Sequence, residues 1–164
     1  MCNIFLVIMS TFNREQLISQ VKEWIAQSGF TFESSPDSKY DFVLNFTEKD
    51  NLPQLQLIHQ KPESAFFLIV SLVNIPKTDR DLLKKIDVGR FSGLIWDLKL
   101  SLLRMGVDFT VLGPDEFDPD AWEVQLRLFI SKADASVFHE LCSKVKRGLI
   151  SIIWTYKRAL DAGF

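Results

Sequence analysis

The residues best suited to chemistry are two histidines, two cysteines and a run of carboxylates. His139 and Cys142 stand three positions apart in a helical pattern, so they can share one helix face as a metal pair or a Cys-His nucleophile pair. A zinc site needs three or four ligands, however, and the two His and two Cys show no paired spacing. Cys142 also lies on an apolar stripe, where a cysteine packs as a small hydrophobe. We therefore predict no metal, no cofactor and a structural role for this pair.

His59 follows Leu55 and Leu57 in a strand-like alternation, so we expect its side chain to point toward the buried face near a strand end. No Ser or Cys nucleophile occupies a recognisable turn motif, which favours a hydrogen-bonded structural histidine over a catalytic base. The acidic loop at 113–120 offers oxygen ligands but lacks the Gly and the distant Glu of a calcium loop. A solvated hairpin tip is the favoured interpretation.

One alternative remains open, an enzyme of unknown type with a pocket near His59 or near the helix at 90–104. Arg90, Arg104 and Asp97 would then anchor a substrate, although they are more simply charges on a helix surface and a junction. Glycines 89 and 93 are isolated and form no phosphate-binding motif, so nucleotide hydrolysis is not expected.

Length, composition and charge restrict the kinds of protein that this chain can be. The chain has 164 residues, 47% of them apolar, with 19 basic and 21 acidic side chains. This length and apolar content predict one globular domain over 1–164. A net charge of −2 gives no field to attract nucleic acid, and no apolar run reaches the ~20 residues of a membrane span. Residues 1–10 are expected to be an extra strand or a mobile leader, and the low cysteine count favours the cytoplasm.

Apolar periodicity supplies the elements that would position these residues. Helical spacing begins at Asn13, and period-two alternation marks strands around 40–46, 54–60 and 122–130. Further strands are predicted at 65–74, after turn residues, and at 107–112, with a possible short strand at 30–33. Two helices are predicted between 78 and 105, and a last helix of about 25 residues begins near Asp134 or Ser136. The fold class is therefore α+β: an antiparallel sheet of five to six strands packed against helices, in the order α-β-β-β-α-α-β-β-α.

A specific segment, Leu102-Leu103-Arg104-Met105-Gly106 followed by Val107, joins a helix to a strand. It resembles the corresponding segment of an archaeal family of domains of unknown function, the one numbered twenty-two ninety-nine, over nearly the whole chain from about residue 13. The resemblance implies no activity and no catalytic or binding residue. At the level of fold, the element order resembles the type III secretion chaperones and related domains, which are non-enzymatic protein binders and commonly dimers.

The strongest functional signal is the strand segment 66–73, which is apolar on both faces. We expect Phe66, Leu68, Val70 and Leu72 to meet the helices. The opposite face would then carry a second apolar set, listed here in full: Phe67, Ile69 and Val73 with Val43, Ile58 and Phe129. Such a patch indicates a contact surface.

Three coverings of this second face are open: the chain's own leader or a helix, a second copy in a homodimer, or a protein client. The sequence thus predicts a cytoplasmic, non-catalytic protein-binding or chaperone-like module, dimeric, acting through an apolar sheet face.

Overall fold

The computed structural model of the chain describes residues 14–35, 37–48, 51–86 and 88–162. Its helices are α1 (Arg14–Gln27), α2 (Lys77–Ile86), α3 (Val88–Arg104) and α4 (Ala135–Ala162). Its strands are β1 (Phe30–Ser34), β2 (Phe42–Glu48), β3 (Asn51–His59), β4 (Phe66–Asn74), β5 (Asp108–Leu112) and β6 (Ala121–Phe129). The prediction for residues 1–10 lies outside the described residues.

The strands form one antiparallel sheet in the order β1-β2-β3-β4-β6-β5. This confirms the predicted α+β class and its element order, with the possible short strand at 30–33 present as β1. The chain leaves β4, passes through α2 and α3, and returns at the far edge as β5 before β6 fills the gap beside β4.

Glycines end two of the helices. Gly29 after α1 and Gly106 after α3 have φ of +79° and +68°, a left-handed conformation that favours glycine. At the end of α3, Gly106 N donates to Leu103 O and Val107 N donates to Leu102 O. These two bonds form a Schellman motif, which satisfies the last carbonyls and turns the chain directly into β5. The start of α4 is capped by Asp134, whose Oδ1 accepts from Val137 N at 2.8 Å.

All four helices contribute side chains to a single core against one face of the sheet, which we call the inner face. The longest helix, α4, provides a buried stripe that includes Phe138, Cys142, Val145 and Leu149. Its Gly148 lies so close to the sheet that an added Cβ would be 3.1 Å from Val124 Cγ1. The helices therefore form one layer and the sheet the other.

The inner face of β4 is the opposite of the predicted one. Phe67 and Ile69 are fully buried in the core and Val73 packs against it, so these three residues do not belong to a second face. The pairing with β6 is the reason, because Phe67 lies opposite Leu128 and Ile69 opposite Leu126, and β6 turns that apolar side toward the helices.

The other face of the sheet, which we call the outer face, has its own small apolar cluster. Val43, Ile58 and Val70 are buried there, with Tyr40 and Leu68 packed against them. No apolar side chain from a described helix belongs to this cluster. Among the described residues, the outer face therefore has no helical layer of its own.

Candidate functional site

The outer-face cluster is built by direct cross-strand pairing. Val43 on β2 lies opposite Ile58 on β3, and Ile58 lies opposite Leu68 on β4. Each pair brings side chains of one face within contact distance, as antiparallel strands do. Three adjacent strands thus present one continuous apolar row.

A second apolar group extends this row toward β6. Phe66 and Phe129 lie opposite each other with ring centroids 6.0 Å apart in an edge-to-face arrangement. The Arg127 guanidinium carbon is 5.4 Å from the centroid of the Phe66 ring. Phe129 is 50% exposed and Leu72 is 47% exposed. These two side chains are available for contact.

Polar residues border the apolar row. A line across the strands runs through Glu33, Asn45, Gln56, Val70, Gln125 and Asp108, so it is polar on every strand except β4. Gln56 Nε2 donates to Asn45 Oδ1 at 2.9 Å. Glu123 lies opposite Leu72 on the same face. With Glu33 and Asp108, it gives the outer face three carboxylates, and Arg127 is a guanidinium on the same side of β6 as Glu123. The border is therefore mainly acidic.

The structure divides the predicted contact set between two faces. It brings Val43, Ile58 and Phe129 together on the outer face, whereas Phe67, Ile69 and Val73 belong to the inner face. The outer-face residues that sequence reasoning assigned to the helices are Phe66, Leu68, Val70 and Leu72. The signal that identifies them is the alternation in β6, which fixes the faces of β4 once the two strands are paired.

His59 is buried on the inner face, as its alternation predicts, and is only 2% exposed. Its Nδ1 is 2.8 Å from Asp41 Oδ2 and its Nε2 is 3.2 Å from the Ser64 carbonyl oxygen. Phe42 and Phe67 pack against the ring, with centroids 5.4 and 5.1 Å away. Both ring nitrogens therefore face oxygen atoms within the fold.

A recess of about 900 Å³ adjoins this pair. It lies between α1 and the ends of β1 and β2, and its lining includes Lys22, Asp37, Asp41 and Phe42. The carboxylate that holds His59 thus borders the recess, whereas the imidazole is enclosed by its two oxygen contacts and two rings. These contacts fix the orientation of the imidazole ring.

The other chemically suited residues are dispersed. Cys142 is 1% exposed while His139 is exposed, so the two lie on different sides of α4. Arg90, Asp97 and Arg104 are exposed on α3. Within the described parts of the chain, no three His, Cys, Asp or Glu side chains are grouped to hold a metal ion.

The acidic loop is tied to α2. Asp118 accepts from Arg80 Nη1 at 3.1 Å and forms an ion pair with Lys84, and Arg80 also pairs with Asp120. Burial raises the pKa of Asp118, but the hydrogen bonds and charges of Lys84 and Arg80 outweigh it and hold that pKa below its usual value. The carboxylates of Asp118 and Asp120 thus attach the acidic loop to α2.

None of the helices in the described ranges is long and apolar enough to span a membrane. Comparison with curated proteins gives no match. The chain is similar to a crystal structure of an uncharacterized protein from Methanothermobacter thermautotrophicus, with a TM-score of 0.78 and 18% identity over 87% of this chain and 97% of that one. At this level of identity, the similarity shows a shared fold. Residues 17–156 match the model of the family described as "Uncharacterized conserved protein (DUF2299)", and the chain belongs to that family.

Proposed function

We propose that the chain is a non-catalytic, chaperone-like protein-binding module whose outer sheet face binds an amphipathic, basic helix of a partner protein. The observation that carries the proposal is the apolar outer face, with Leu72 and Phe129 about half exposed and all four helices packed on the inner face. The similarity of element order to the type III secretion chaperones supports a binding role by analogy of fold.

The size of the face fits a helix. Six strands about 4.8 Å apart span roughly 24 Å, the length of a helix of about 16 residues. A helix laid across the strands would give the outer face the layer that α4 gives the inner face. Covering the exposed half of Phe129 would contribute about 1 kcal/mol. Leu72 lies six residues further along the strands than the Phe66–Phe129 pair, roughly 20 Å away, so it lies beyond the width of this helix.

The charged residues of the outer face indicate which kind of partner helix would bind there. The strands of the outer face carry three carboxylates, Glu33, Asp108 and Glu123, against one guanidinium, Arg127, which lies directly opposite Leu68. Basic side chains that flank an apolar helix stripe would therefore meet mainly carboxylates. An acidic helix would meet like charges. The proposed partner segment is therefore apolar on one side and rich in Lys or Arg at its borders.

The non-catalytic part of the proposal is supported by His59. A general base needs a ring nitrogen free to accept the substrate's proton, and both nitrogens of His59 already contact oxygen atoms inside the fold. A cytoplasmic setting is part of the same proposal, because a chain with only two cysteines does not supply the disulfide framework typical of small secreted domains.

The test measures binding of a designed peptide by fluorescence anisotropy. The probe is a fluorescein-labelled helix of about 18 residues with Leu on one face and Lys at its borders. We expect saturable binding to the full chain, weakened at least about tenfold by Phe129→Asp. Replacing the Lys residues of the probe by Glu should weaken binding as well.

Trp154→Asp provides the matched control, because Trp154 is an aromatic side chain on α4 that is 70% exposed and lies on the helical layer. This variant should bind the probe as the wild type does. Equal binding by the Phe129→Asp variant, or no saturable binding by the wild type, would refute the proposal. Binding that appears only after residues 1–10 are removed would assign the outer face to the chain's own leader and refute a partner helix.

A further inference from the structure

A second apolar surface lies on α3, away from the sheet. Trp96, Leu100 and Leu103 follow one another at helical spacing and are 53%, 45% and 61% exposed. The buried side of the same helix carries Ile95 and Leu102, both fully enclosed. The three exposed residues form a stripe, the α3 stripe, on the side of the helix opposite the core.

Part of the stripe is held in place. Lys99 is only 8% exposed and its Nζ lies 5.2 Å from the Trp96 ring centroid and 5.1 Å from that of Phe117. The same Nζ donates to Glu116 Oε2 at 2.8 Å. The indole of Trp96 is therefore ordered before any partner arrives, which lowers the entropy cost of binding.

Two exposed charges follow one border of the stripe. Asp97 and Arg104 are seven positions apart, which is two helical turns, so they lie on the same side of α3. Within the described parts of the chain, neither side chain forms an ion pair or a side-chain hydrogen bond. A helix that carries an acid at one position and a base seven residues later is complementary to itself when the two copies run in opposite directions.

We propose that α3 pairs with α3 of a second copy, antiparallel about a two-fold axis near residues 100 and 101. In this arrangement the stripes of the two copies face each other. Asp97 of each copy lies beside Arg104 of the other, which forms two equivalent ion pairs, as an isologous contact requires. A parallel pair, with its two-fold axis along the helices, would instead carry the charged borders of the two copies to opposite sides of the contact, where Asp97 and Arg104 do not meet. The ion pairs therefore form only in the antiparallel arrangement.

The experiment is light scattering on the purified full chain over a series of concentrations. The wild type should approach twice the 18.9 kDa chain mass at high concentration. Leu103→Asp should raise the dissociation constant of the dimer at least about tenfold. Because Leu103 is 61% exposed, the variant should retain the circular dichroism spectrum and melting temperature of the wild type.

Charge exchange makes the test specific to the antiparallel pair. Asp97→Arg alone and Arg104→Asp alone should each weaken the dimer, because each places like charges side by side, and the double exchange should restore it. Leu72→Asp, on the outer sheet face, is the control and should leave the mass unchanged. A wild type that stays monomeric up to about 1 mM, a dimer indifferent to Leu103→Asp, a dimer lost in Leu72→Asp, or a double exchange that fails to recover the dimer would each overturn the proposal.

Discussion

At the scale of single residues, the His59–Asp41 pair is a polar contact enclosed within the fold. Both side chains are nearly inaccessible, at 2% and 7% exposure, with Nδ1 2.8 Å from the carboxylate. We expect His59→Phe to lower the free energy of unfolding by about 2–4 kcal/mol, because Asp41 loses this partner inside the fold. Urea denaturation followed by circular dichroism measures the change.

The double variant His59→Phe with Asp41→Leu is the matched control for that measurement. Replacing both members of a buried pair by apolar side chains is often close to neutral, so most of the lost stability should return. A double variant less stable than His59→Phe alone would contradict a pair whose main role is mutual compensation.

The two members of this pair differ in how far the sequence predicts them. Alternation with Leu55 and Leu57 is sufficient to place His59 on the buried face, and the structure confirms it. Asp41 is 18 positions away and reaches the ring only because β2 and β3 pair with Phe42 opposite His59. A contact set by strand register is not readable from either segment alone.

At the scale of elements, β4 is the strand whose buried and exposed faces cannot be predicted from its own periodicity. Its residues are large and apolar at nearly every position from Phe66 to Val73, so alternation within the strand does not distinguish the faces. In β6, Trp122 and Leu128 alternate with Glu123 and Arg127, which identifies the inner face directly. The correct faces of β4 follow from its neighbour in the sheet, and that neighbour is a strand remote in sequence.

The reversed faces of β4 predict opposite effects for two phenylalanines of the sheet. Phe67→Ala should lower the free energy of unfolding by about 3–5 kcal/mol, because it leaves a cavity in the core. Phe129→Ala should change it by less than about 1 kcal/mol, because that ring is half exposed and leaves no enclosed cavity. Chemical denaturation of the two variants side by side provides the comparison, and equal losses would contradict the assignment of faces.

At the scale of the whole molecule, the class and element order follow from pattern, whereas the strand order does not. Hairpin-length links predict the antiparallel neighbours from β1 to β4, and glycines at 29 and 106 mark two helix ends. The insertion of β6 between β4 and β5 depends on how α2 and α3 carry the chain across the inner face to the far edge. That choice is made by tertiary packing, which local periodicity does not contain.

A contact between the helical layer and the sheet makes the stability of the fold decrease at alkaline pH. Trp122 Nε1 on β6 donates to Tyr156 Oη on α4 at 3.2 Å, and burial raises the pKa of Tyr156 to about 12. The unfolded phenol titrates near 10, so between about pH 10 and 12 the unfolded chain releases this proton first and unfolding is favoured by up to about 2–3 kcal/mol. Below pH 10 both states keep the proton and the full stability is present.

Tyr156→Phe removes this titration. At neutral pH the variant should be less stable than the wild type by about 1–2 kcal/mol, because the buried indole N–H of Trp122 loses its acceptor. As the pH rises from about 9 to about 11.5, only the wild type loses stability through Tyr156, because its unfolded chain releases the phenol proton more readily than its folded chain. The difference in stability between the two proteins should therefore shrink. Urea unfolding at both pH values measures the difference in stability. A constant difference would show that Tyr156 ionises equally readily in both states, and a widening one that it ionises more readily in the folded chain; either result would contradict a raised pKa in the fold.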